Sequence, residues 1–346
     1  MGLRASALRL QWGAVLQRML LCLAAMTMLA PLRAAVPDAA DKPLSASEAR
    51  RWLARIHVAA HERNYQGTLV FNTDGALSSA RVAHYCEGDQ SYERVELLDG
   101  RMQQIYRHND RVHTLWPRSR VAVIEQRDPQ QASLRPVIEP RAEQSYELRA
   151  QGTGHVAGRE AQILLLNPRD GNRFAQRLWI DTRSGLVLRA DVLGPRQQVL
   201  ESSAFSQIDI DVKPRPKSVL QPMKQLDGYR KVHPPHASTR LEQEGWALDA
   251  PPPGFQLSSC TRRALDPVEG ADAASVLQVV YSDGLTRVSL FIEPIGRVPQ
   301  RQPLQTQVGA THTSMQPHGA DWWITLIGDV PPQTLERFRQ ALERRR

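Results

Sequence analysis

Short β-type runs separated by turn residues fill most of the chain from Tyr65 to Asp211, and this pattern constrains the fold more than any other feature. The first turns fall at Asp74-Gly75, Gly88-Asp89, Asp99-Gly100 and Asn109-Asp110, where the residue types tolerate the positive φ of tight hairpins. The runs are 65–72, 79–86, 91–98, 102–108, 112–116, one starting at 146, 161–166, 174–181, 186–192 and 199–211. About nine or ten consecutive antiparallel strands are therefore predicted.

Within these runs, apolar and polar residues alternate as they do on a sheet with one covered face. In the run 174–181, Phe174, Leu178 and Ile180 point one way, whereas Arg177 and Asp181 point the other. A sheet of so many strands cannot stay flat, because each strand carries a right-handed twist. We expect it to curl into an open barrel around its apolar face.

A helix is predicted immediately before the first strand. Ser45 and Glu48 have the spacing of a capping box, in which each side chain binds the backbone N–H of the other residue. An apolar stripe with helical spacing follows and continues to about Asn64; it consists of Trp52, Leu53, Ile56, Ala59 and Ala60.

The rest of the chain predicts a second, smaller domain, because about 310 residues exceed the usual limit for a single core. Prolines bound the segment 129–140, where we expect a short helix or a loop across the sheet, and prolines recur through 212–245. We interpret 212–245 as an extended, polar linker that packs poorly. The second domain, 246–346, is predicted to contain strands at 276–282, 288–293 and 322–327. A closing helix after residue 332 presents Leu335, Phe338 and Leu342.

Residues 1–34 have the pattern of a cleaved secretory signal peptide. Three arginines, Arg4, Arg9 and Arg18, precede an uncharged run from 19 to 30 that rises only about 18 Å as a helix, too short to span a bilayer. Cleavage is expected near Ala34 and the mature chain is expected in the bacterial periplasm. Removing the four arginines of this segment from the 44 basic residues leaves 40 against 36 acidic residues, a net charge of only +4. Because arginines alternate with acids, nucleic-acid binding is not expected.

No residue pattern indicates catalysis or a bound cofactor. His57 and His61 lie one helical turn apart, as two Zn²⁺ ligands can, but no third ligand is placed by spacing. The glycines at 152, 154 and 158 lack the spacing of a dinucleotide site and indicate a hairpin. Cys86 and Cys260 could pair in the periplasm or remain buried thiols, and the sequence leaves this open.

Two blocks of sequence resemble the MucB/RseB family of periplasmic regulators of the envelope-stress sigma factor. The first comprises 158–161, 164–166, 168–170, Arg173, 178–181 and 184–189, and includes the run Leu-Trp-Ile-Asp. The second comprises 280–285, 288–294 and 327–331, and includes the run Tyr-Ser-Asp-Gly. The blocks occur in the family's order, and the resemblance covers nearly all of the mature chain, although the family has Glu more often where this chain has Asp329.

The resemblance implies a mainly β fold with α-helices. Its parts are a signal peptide at 1–34, a LolA/LolB-like unclosed antiparallel β-barrel that senses lipid at 45–211, a linker at 212–245 and a smaller C-terminal α+β domain at 246–346. The family binds the periplasmic part of a membrane-spanning anti-sigma factor of the RseA/MucA type, shields it from site-1 proteolysis, and so keeps the envelope-stress sigma factor inactive. Binding of lipid or lipopolysaccharide releases the anti-sigma factor from the regulator. No enzyme activity, catalytic residue, metal or cofactor is implied.

The alternative function is a periplasmic carrier of lipid or lipoprotein, which the barrel alone could perform but which leaves the second domain unexplained. The strand pattern gives candidate residues for lipid binding and for contact with the partner. The alternative for these residues is that they fill the protein's own core. The lipid-cavity candidates are Leu69, Phe71, Leu178, Ile180 and Leu188; the partner-contact candidates are Tyr281, Arg287 and Phe291. The sequence leaves open whether the chain forms a homo-oligomer. It also leaves open the chemical identity of the releasing signal.

Overall fold

A computed structural model describes residues 41–100, 102–126, 138–264, 275–295 and 302–345. The predicted signal peptide at 1–34 lies outside these residues, as does most of the proline-bounded segment 129–140. Of that segment, Pro140 begins a 3-10 helix, Pro140–Gln144.

The predicted first helix, α1 (Ala46–Glu62), is confirmed together with its cap. Ser45 is the N-cap residue, its side chain accepts a hydrogen bond from the backbone N–H of Glu48, and the Glu48 carboxylate accepts the N–H of Ser45 at 2.9 Å. Leu53 and Ile56 are buried on the inner side of the helix. This reciprocal bonding satisfies two of the N–H groups that a helix start leaves unpaired, so the helix begins at a defined residue.

The first sheet has thirteen strands in the described part of the chain, and every neighbouring pair is antiparallel except the last. Its order is β1-β8-β9-β10-β11-β12-β2-β3-β4-β5-β6-β7-β13. The strands are β1 (Lys42–Pro43), β2 (Tyr65–Thr73), β3 (Ala76–Glu87), β4 (Gln90–Leu97), β5 (Gln104–His108), β6 (Arg111–Trp116), β7 (Val121–Gln126), β8 (Tyr146–Val156), β9 (Arg159–Pro168), β10 (Ala175–Asp181), β11 (Val187–Leu193), β12 (Val199–Ile210) and β13 (Arg230–Val232).

Turn chemistry confirms the predicted hairpins. Asp74, Gly75, Gly88 and Asn109 have φ values of 51°, 81°, 62° and 55°. The turn between β8 and β9 likewise uses Gly158 at φ 72°, which confirms that these glycines form a hairpin. Asn and Gly bear such φ values at low cost, so the turn positions could be read from the sequence.

Helices cover the inner face of the first sheet. Leu53 and Ile56 of α1 and Ala142 of the 3-10 helix pack on Leu164 and Leu178 of β9 and β10. A second helix, α2 (Lys217–Lys224), packs on the other half of the sheet. The sheet therefore stays open, and its apolar face is filled by side chains of the chain itself.

The prediction of an extended, poorly packing linker at 212–245 is wrong over most of that segment, which forms α2, β13 and a strand at His236–Ser238 and buries Leu241. Val219 and Met223 of α2, followed by Leu226, are buried against Tyr85, Tyr92, Tyr106 and Leu115. β13 then pairs with β7 in parallel. Prolines suggested an extended segment, but Pro222 is tolerated inside this two-turn helix, where α2 buries Val219 and Met223 four residues apart.

The second sheet contains seven described strands in the order β14-β16-β17-β18-β21-β20-β19. They are β14 (His236–Ser238), β16 (Gln256–Ala264), β17 (Ser275–Ser282), β18 (Arg287–Pro294), β19 (Leu304–Val308), β20 (Thr311–His318) and β21 (Trp322–Gly328). β15 (Trp246–Leu248) pairs with β22 (Leu342–Arg344) outside this sheet. Helix α3 (Pro332–Ala341) covers one face through Leu335 and Phe338. The strand predictions for β17, β18 and β21 and the closing helix are confirmed, but Leu342 lies in β22.

We refer to the described residues up to Val232 as the N-terminal part and to those from His236 onward as the C-terminal part. An unclosed antiparallel sheet with helices, followed by a smaller α+β part, is the fold class predicted from the sequence, and it is confirmed. Among the helices formed by described residues, none combines the length and apolar character that crossing a membrane requires.

Cys86 and Cys260 are free in the structure. Burial, followed by nearby Glu93, raises the pKa of the Cys86 thiol to about 11, and burial raises that of Cys260 to about 11 as well. Both thiols therefore stay protonated near neutral pH and are poor nucleophiles.

Replacing Met223 with Ala tests whether α2 belongs to the core. We expect the free energy of unfolding to fall by about 2 to 5 kcal/mol, because a buried side chain is lost and a cavity remains. The control Gln221→Ala changes an exposed residue of the same helix and should have little effect. Urea denaturation measures both variants, and equal stabilities would show that α2 does not pack against the first sheet in solution.

Candidate binding site at the junction of the two parts

A buried ion pair joins the N-terminal and C-terminal parts. Arg173 precedes β10, and Asp283 lies in the turn between β17 and β18. The Arg173 Nε donates to Asp283 Oδ2 at 2.5 Å, and the exposed fractions of the two side chains are only 1% and 0%. The Tyr146 hydroxyl donates to the same oxygen at 3.1 Å. Burial, followed by the carboxylate of Asp283, raises the pKa of Tyr146 well above its usual range, so this hydroxyl keeps its proton.

The other nitrogens of the Arg173 guanidinium also have partners. Nη1 donates to both carboxylate oxygens of Asp170, at 2.9 and 2.7 Å, and Nη2 donates to the carbonyl oxygen of Pro253 at 2.5 Å. The guanidinium carbon lies 4.7 Å from the centroid of the Phe255 ring. Burial alone would lower the pKa of Arg173, but Asp283 and Asp170 outweigh it and raise that pKa. A buried charge is tolerated only with such complete hydrogen bonding.

The turn that carries Asp283 fits closely against the 3-10 helix of the N-terminal part. Asp283 Oδ1 accepts the backbone N–H groups of Leu285 and Thr286 at 2.9 and 2.8 Å, which holds the turn in shape. The N–H of Glu139 donates to the Gly284 carbonyl oxygen at 2.7 Å, and Arg141 Nη1 donates to the Ser282 carbonyl oxygen at 3.0 Å.

Gly284 is required at this position for two reasons. Its φ of +97° is rare for residues with a side chain, and a Cβ atom there would approach the backbone nitrogen of Ala142 to 3.2 Å. The run Ser282-Asp283-Gly284 belongs to the second block of the family resemblance, but its role in joining the two parts was not predicted.

A second contact joins the loop before β10 to helix α3. The Thr334 hydroxyl donates to the Asn172 carbonyl oxygen at 3.0 Å, and Arg337 Nη1 donates to the Asn172 side chain at 2.7 Å. Gln333 donates to the carbonyl oxygen of Gly171 at 3.1 Å. The loop 170–173 therefore contacts α3 as well as the turn that carries Asp283.

A third contact joins the turn between β19 and β20 to the ends of β2 and β12, two neighbouring strands in the middle of the first sheet. The Gly309 N–H donates to Asp74 Oδ2 at 2.7 Å, and the Ala310 N–H donates to Glu201 Oε1 at 3.1 Å. Burial, followed by the carboxylates of Asp329 and Asp74, raises the pKa of Glu201. Carboxylates of both parts therefore share one partly buried site, where protonation of Glu201 relieves their repulsion.

Between the second and third contacts lies a crevice of about 560 Å³ whose walls come from both parts. Phe174 of the N-terminal part and His312 of the C-terminal part both line it, with ring centroids 6.0 Å apart. Its other lining residues are charged, apolar and amide-bearing, and include Arg173, Ala175, Leu193, Leu200, Gln307, Pro332 and Gln333. A crevice of this size with mixed lining suits a peptide or small ligand.

The five lipid-cavity candidates do not line this crevice. Leu178 and Ile180 are buried beneath α1 in one cluster, while Leu69 and Leu188 are buried in the adjoining cluster with Phe71 half-buried beside them. Lipid binding by these residues stays a prediction, and it requires a helix to move, because the space above them is filled by α1.

The three partner-contact candidates fall on different surfaces. Tyr281 is 5% exposed and packs in the core beneath α3, with its ring centroid 5.4 Å from that of Phe338. Phe291 is half-buried on the opposite face of the second sheet, since it alternates with the core residues Leu290 and Ile292. Arg287 begins β18 and is half-buried. Their contact with a partner stays a prediction.

Arg173 and Asp283 were not predicted from the sequence to form a pair. The available signal was their presence in the two blocks that carry the family resemblance, one residue in each block. A distance of 110 residues along the chain separates them, so no local pattern could join them.

The two helical histidines have ordinary hydrogen-bond partners. His57 Nδ1 lies 3.1 Å from the Ile138 carbonyl oxygen, and His61 Nδ1 lies 2.7 Å from the His57 carbonyl oxygen. Within the described ranges, no group of three or more His, Cys, Asp or Glu side chains could hold a metal ion.

Replacing Asp283 with Ala should lower the free energy of unfolding by about 3 to 5 kcal/mol, because the buried Arg173 charge loses its partner. The control Asp249→Ala breaks the exposed pair with Arg345 and should cost about 1 kcal/mol or less. Urea denaturation measures the free energy of unfolding of both variants. Equal small losses would mean that the junction opens readily in solution.

The raised pKa of Glu201 predicts a pH-dependent stability. In the range above its ordinary value of 4.5, the folded chain holds the Glu201 proton more tightly than the unfolded chain, so stability falls as pH rises through that range. The variant Glu201→Gln removes this term, and its stability relative to the unmodified protein should increase with pH. Urea denaturation of both across the range measures the difference; a pH-independent difference would contradict the assignment.

Comparison with known families supports both parts of the fold. The model of the MucB/RseB N-terminal domain matches residues 48–224, and the model of the MucB/RseB C-terminal domain matches residues 240–343. The sigma factor AlgU regulatory protein MucB of Pseudomonas aeruginosa is 30% identical over 315 residues, which cover 86% of this chain and 91% of that protein. The sigma-E factor regulatory protein RseB of Escherichia coli K12 is 24% identical over 297 residues, 84% of this chain and 89% of that protein.

Solved structures also match this chain over most of its length. The complex structure of Pseudomonas aeruginosa MucA/MucB matches with a TM-score of 0.65 at 27% identity, covering 86% of this chain and 99% of that chain. A crystal structure of MucB matches with a TM-score of 0.64 at 26% identity, covering 87% and 99%. With both domain models matched in order over most of its length, the chain belongs to the MucB/RseB family.

Proposed function

We propose that this protein acts in the periplasm as a negative regulator of the envelope stress response, by binding the periplasmic part of a membrane-spanning anti-sigma factor of the RseA/MucA type. The observation that carries the proposal is the match of both family domains, in order, over residues 48–224 and 240–343. Relatives over this length are named sigma-factor regulatory proteins, and a similar solved structure is a complex of MucB with MucA.

The junction supplies a physical basis for binding. The 560 Å³ crevice has walls from both parts, so it exists only while the three contacts between the parts hold. An extended partner segment held in such a crevice is out of reach of a protease, since proteases bind their substrates as extended chains. If the segment that site-1 protease cleaves is the one bound in the crevice, binding shields the anti-sigma factor from site-1 proteolysis.

A releasing signal can act through α1. The cluster beneath α1 contains the lipid-cavity candidates Leu178 and Ile180, but also Tyr146 and, at its border, Leu285 of the C-terminal part. An acyl chain that enters beneath α1 must displace side chains of this cluster, and the Tyr146 hydroxyl binds Asp283 directly. We propose that lipid or lipopolysaccharide binding weakens the junction in this way and releases the partner.

The alternative, a lipid or lipoprotein carrier, rests on the open sheet alone. The C-terminal part buries its own core and joins the N-terminal part through an ion pair that is nearly inaccessible to water. A lipid or lipoprotein carrier does not require the C-terminal part, so its presence favours the regulatory function.

A reconstituted proteolysis assay tests the proposal. The protein is mixed with the periplasmic part of its own organism's RseA/MucA-type anti-sigma factor, and the cleavage rate by site-1 protease is followed. We expect binding at micromolar concentration and slower cleavage, with cleavage restored by lipopolysaccharide fragments. The fragments added to the anti-sigma factor without the protein are the control and should not change the rate.

Two outcomes would contradict it. Absence of binding at micromolar concentration would overturn the regulatory function and favour the carrier, which lipid detected by mass spectrometry of the purified protein would support. Binding with unchanged cleavage would overturn the shielding step alone.

A further inference from the structure

The outer edge of β19 has the features of a strand-pairing site. β19 ends the second sheet, and all five of its residues, Leu304–Val308, are exposed. Its sequence, Leu-Gln-Thr-Gln-Val, contains no charge and no proline, and the exposed fractions of Leu304 and Val308 are 48% and 60%. In the described part of the chain no strand pairs with this edge. An edge strand of this kind leaves backbone N–H and C=O groups available to another chain.

The other sheet ends are protected by features that β19 lacks. β1 is a two-residue strand made of Lys42 and Pro43, and β13 is a three-residue strand with Arg230 and Lys231. β14 has three residues, and β16, which extends past it from Gln256 to Cys260, has an irregular ladder between Leu257 and Ser259. Where β8 extends past β1, its ladder is irregular between Ala150 and Thr153. Natural proteins shorten, charge or bend their edges to prevent unwanted pairing, so the unprotected β19 is a site where pairing is useful.

A trough runs beside this edge. Gln305 and Gln307 pair with Ser314 and His312, and these four residues point to the face that α3 covers. Together with Pro332, Leu335 and Glu336 of α3 they line a pocket of about 210 Å³. The pocket shares Gln307, His312 and Pro332 with the 560 Å³ crevice at the junction of the two parts. The two cavities therefore adjoin, and one extended chain can follow β19 and continue into the crevice.

The lining residues of the pocket indicate which side chains a bound segment can have. Gln305, Gln307, Ser314 and Leu335 are uncharged, and the carboxylate of Glu336 is already bound to the Arg339 side chain. An extended segment with small or apolar side chains at every second position fits, because alternate side chains of a strand point to the same face.

From these observations we infer that β19 binds an extended, uncharged segment of the anti-sigma factor by strand addition, with alternate side chains of that segment in the 210 Å³ pocket. This inference rests on the proposed function and specifies its binding mode. A second copy of the chain is a poorer occupant, since a pair of five-residue strands buries far less than the roughly 1,000 Å² of a stable interface. It would also leave the adjoining crevice empty.

Hydrogen exchange of the unmodified protein tests the inference. Calorimetry first establishes binding of the periplasmic part of its organism's anti-sigma factor. Exchange is then measured with and without a saturating amount of that fragment. We expect slower exchange at alternate backbone amides of 304–308, the ones that point outward, and no change in β14, which ends the same sheet on its other side.

A matched pair of variants tests the same edge by affinity. Leu304→Lys places a charge on the strand, as protected edges do, and should weaken binding about tenfold or more without changing the melting temperature. Leu77→Lys makes the same change at an exposed leucine of β3, 70% exposed, and should leave affinity unchanged.

The outcomes separate this inference from the function on which it depends. Binding with unchanged exchange in β19 and equal affinity of the two variants overturns strand addition and leaves the regulatory function intact. Absence of binding by the unmodified protein overturns both. Protection of β19 without the fragment, together with a dimer in sedimentation analysis that Leu304→Lys abolishes, shows a second copy as the occupant and overturns the inference.

Discussion

The buried ion pair between Arg173 and Asp283 is the interaction on which the relation between the two parts depends. A charge in this position is costly unless every donor and acceptor has a partner, and here Asp170, Tyr146 and the Pro253 carbonyl oxygen complete the set. Because the partners come from both parts, the network is satisfied only when the parts are joined. The crevice, which has walls from both parts, exists under the same condition.

The same network connects two regions that the family resemblance assigns to different roles. Tyr146 belongs to the cluster beneath α1 that contains the lipid-cavity candidates Leu178 and Ile180, and its hydroxyl binds the carboxylate that holds the C-terminal part. Ala142, in the same cluster, lies in the 3-10 helix that contacts Gly284. Lipid entry and partner release can therefore be coupled over a short distance, through side chains already in contact, because a packed core transmits a displacement rather than absorbing it.

The segment after the first sheet has a structural role that its composition concealed. Prolines and charged residues suggested a linker, yet Val219, Met223 and Leu226 close the second half of the sheet's inner face. Their burial means that helices fill the sheet's inner face in the part of the chain that the structure describes, so a lipid ligand has to compete with them for the same apolar surface. Preformed pockets lie at the junction, beside β19 and, with a volume of about 270 Å³, between the start of α1 and β8.

The sequence by itself determined the local elements and the family. Asp74-Gly75 and Asn109 mark turns because few residues accept positive φ, the Ser45–Glu48 capping box marks a helix start, and alternation assigns each strand's inner face. It could not show that Phe174 and His312 would line one crevice together, or that β7, a run of only six residues, would pair with β13. Only the tertiary structure decided that Arg173 meets Asp283 and that helices fill the inner face. Both depend on contacts between residues far apart in the chain, and local patterns carry no information about which distant surfaces will be buried against each other.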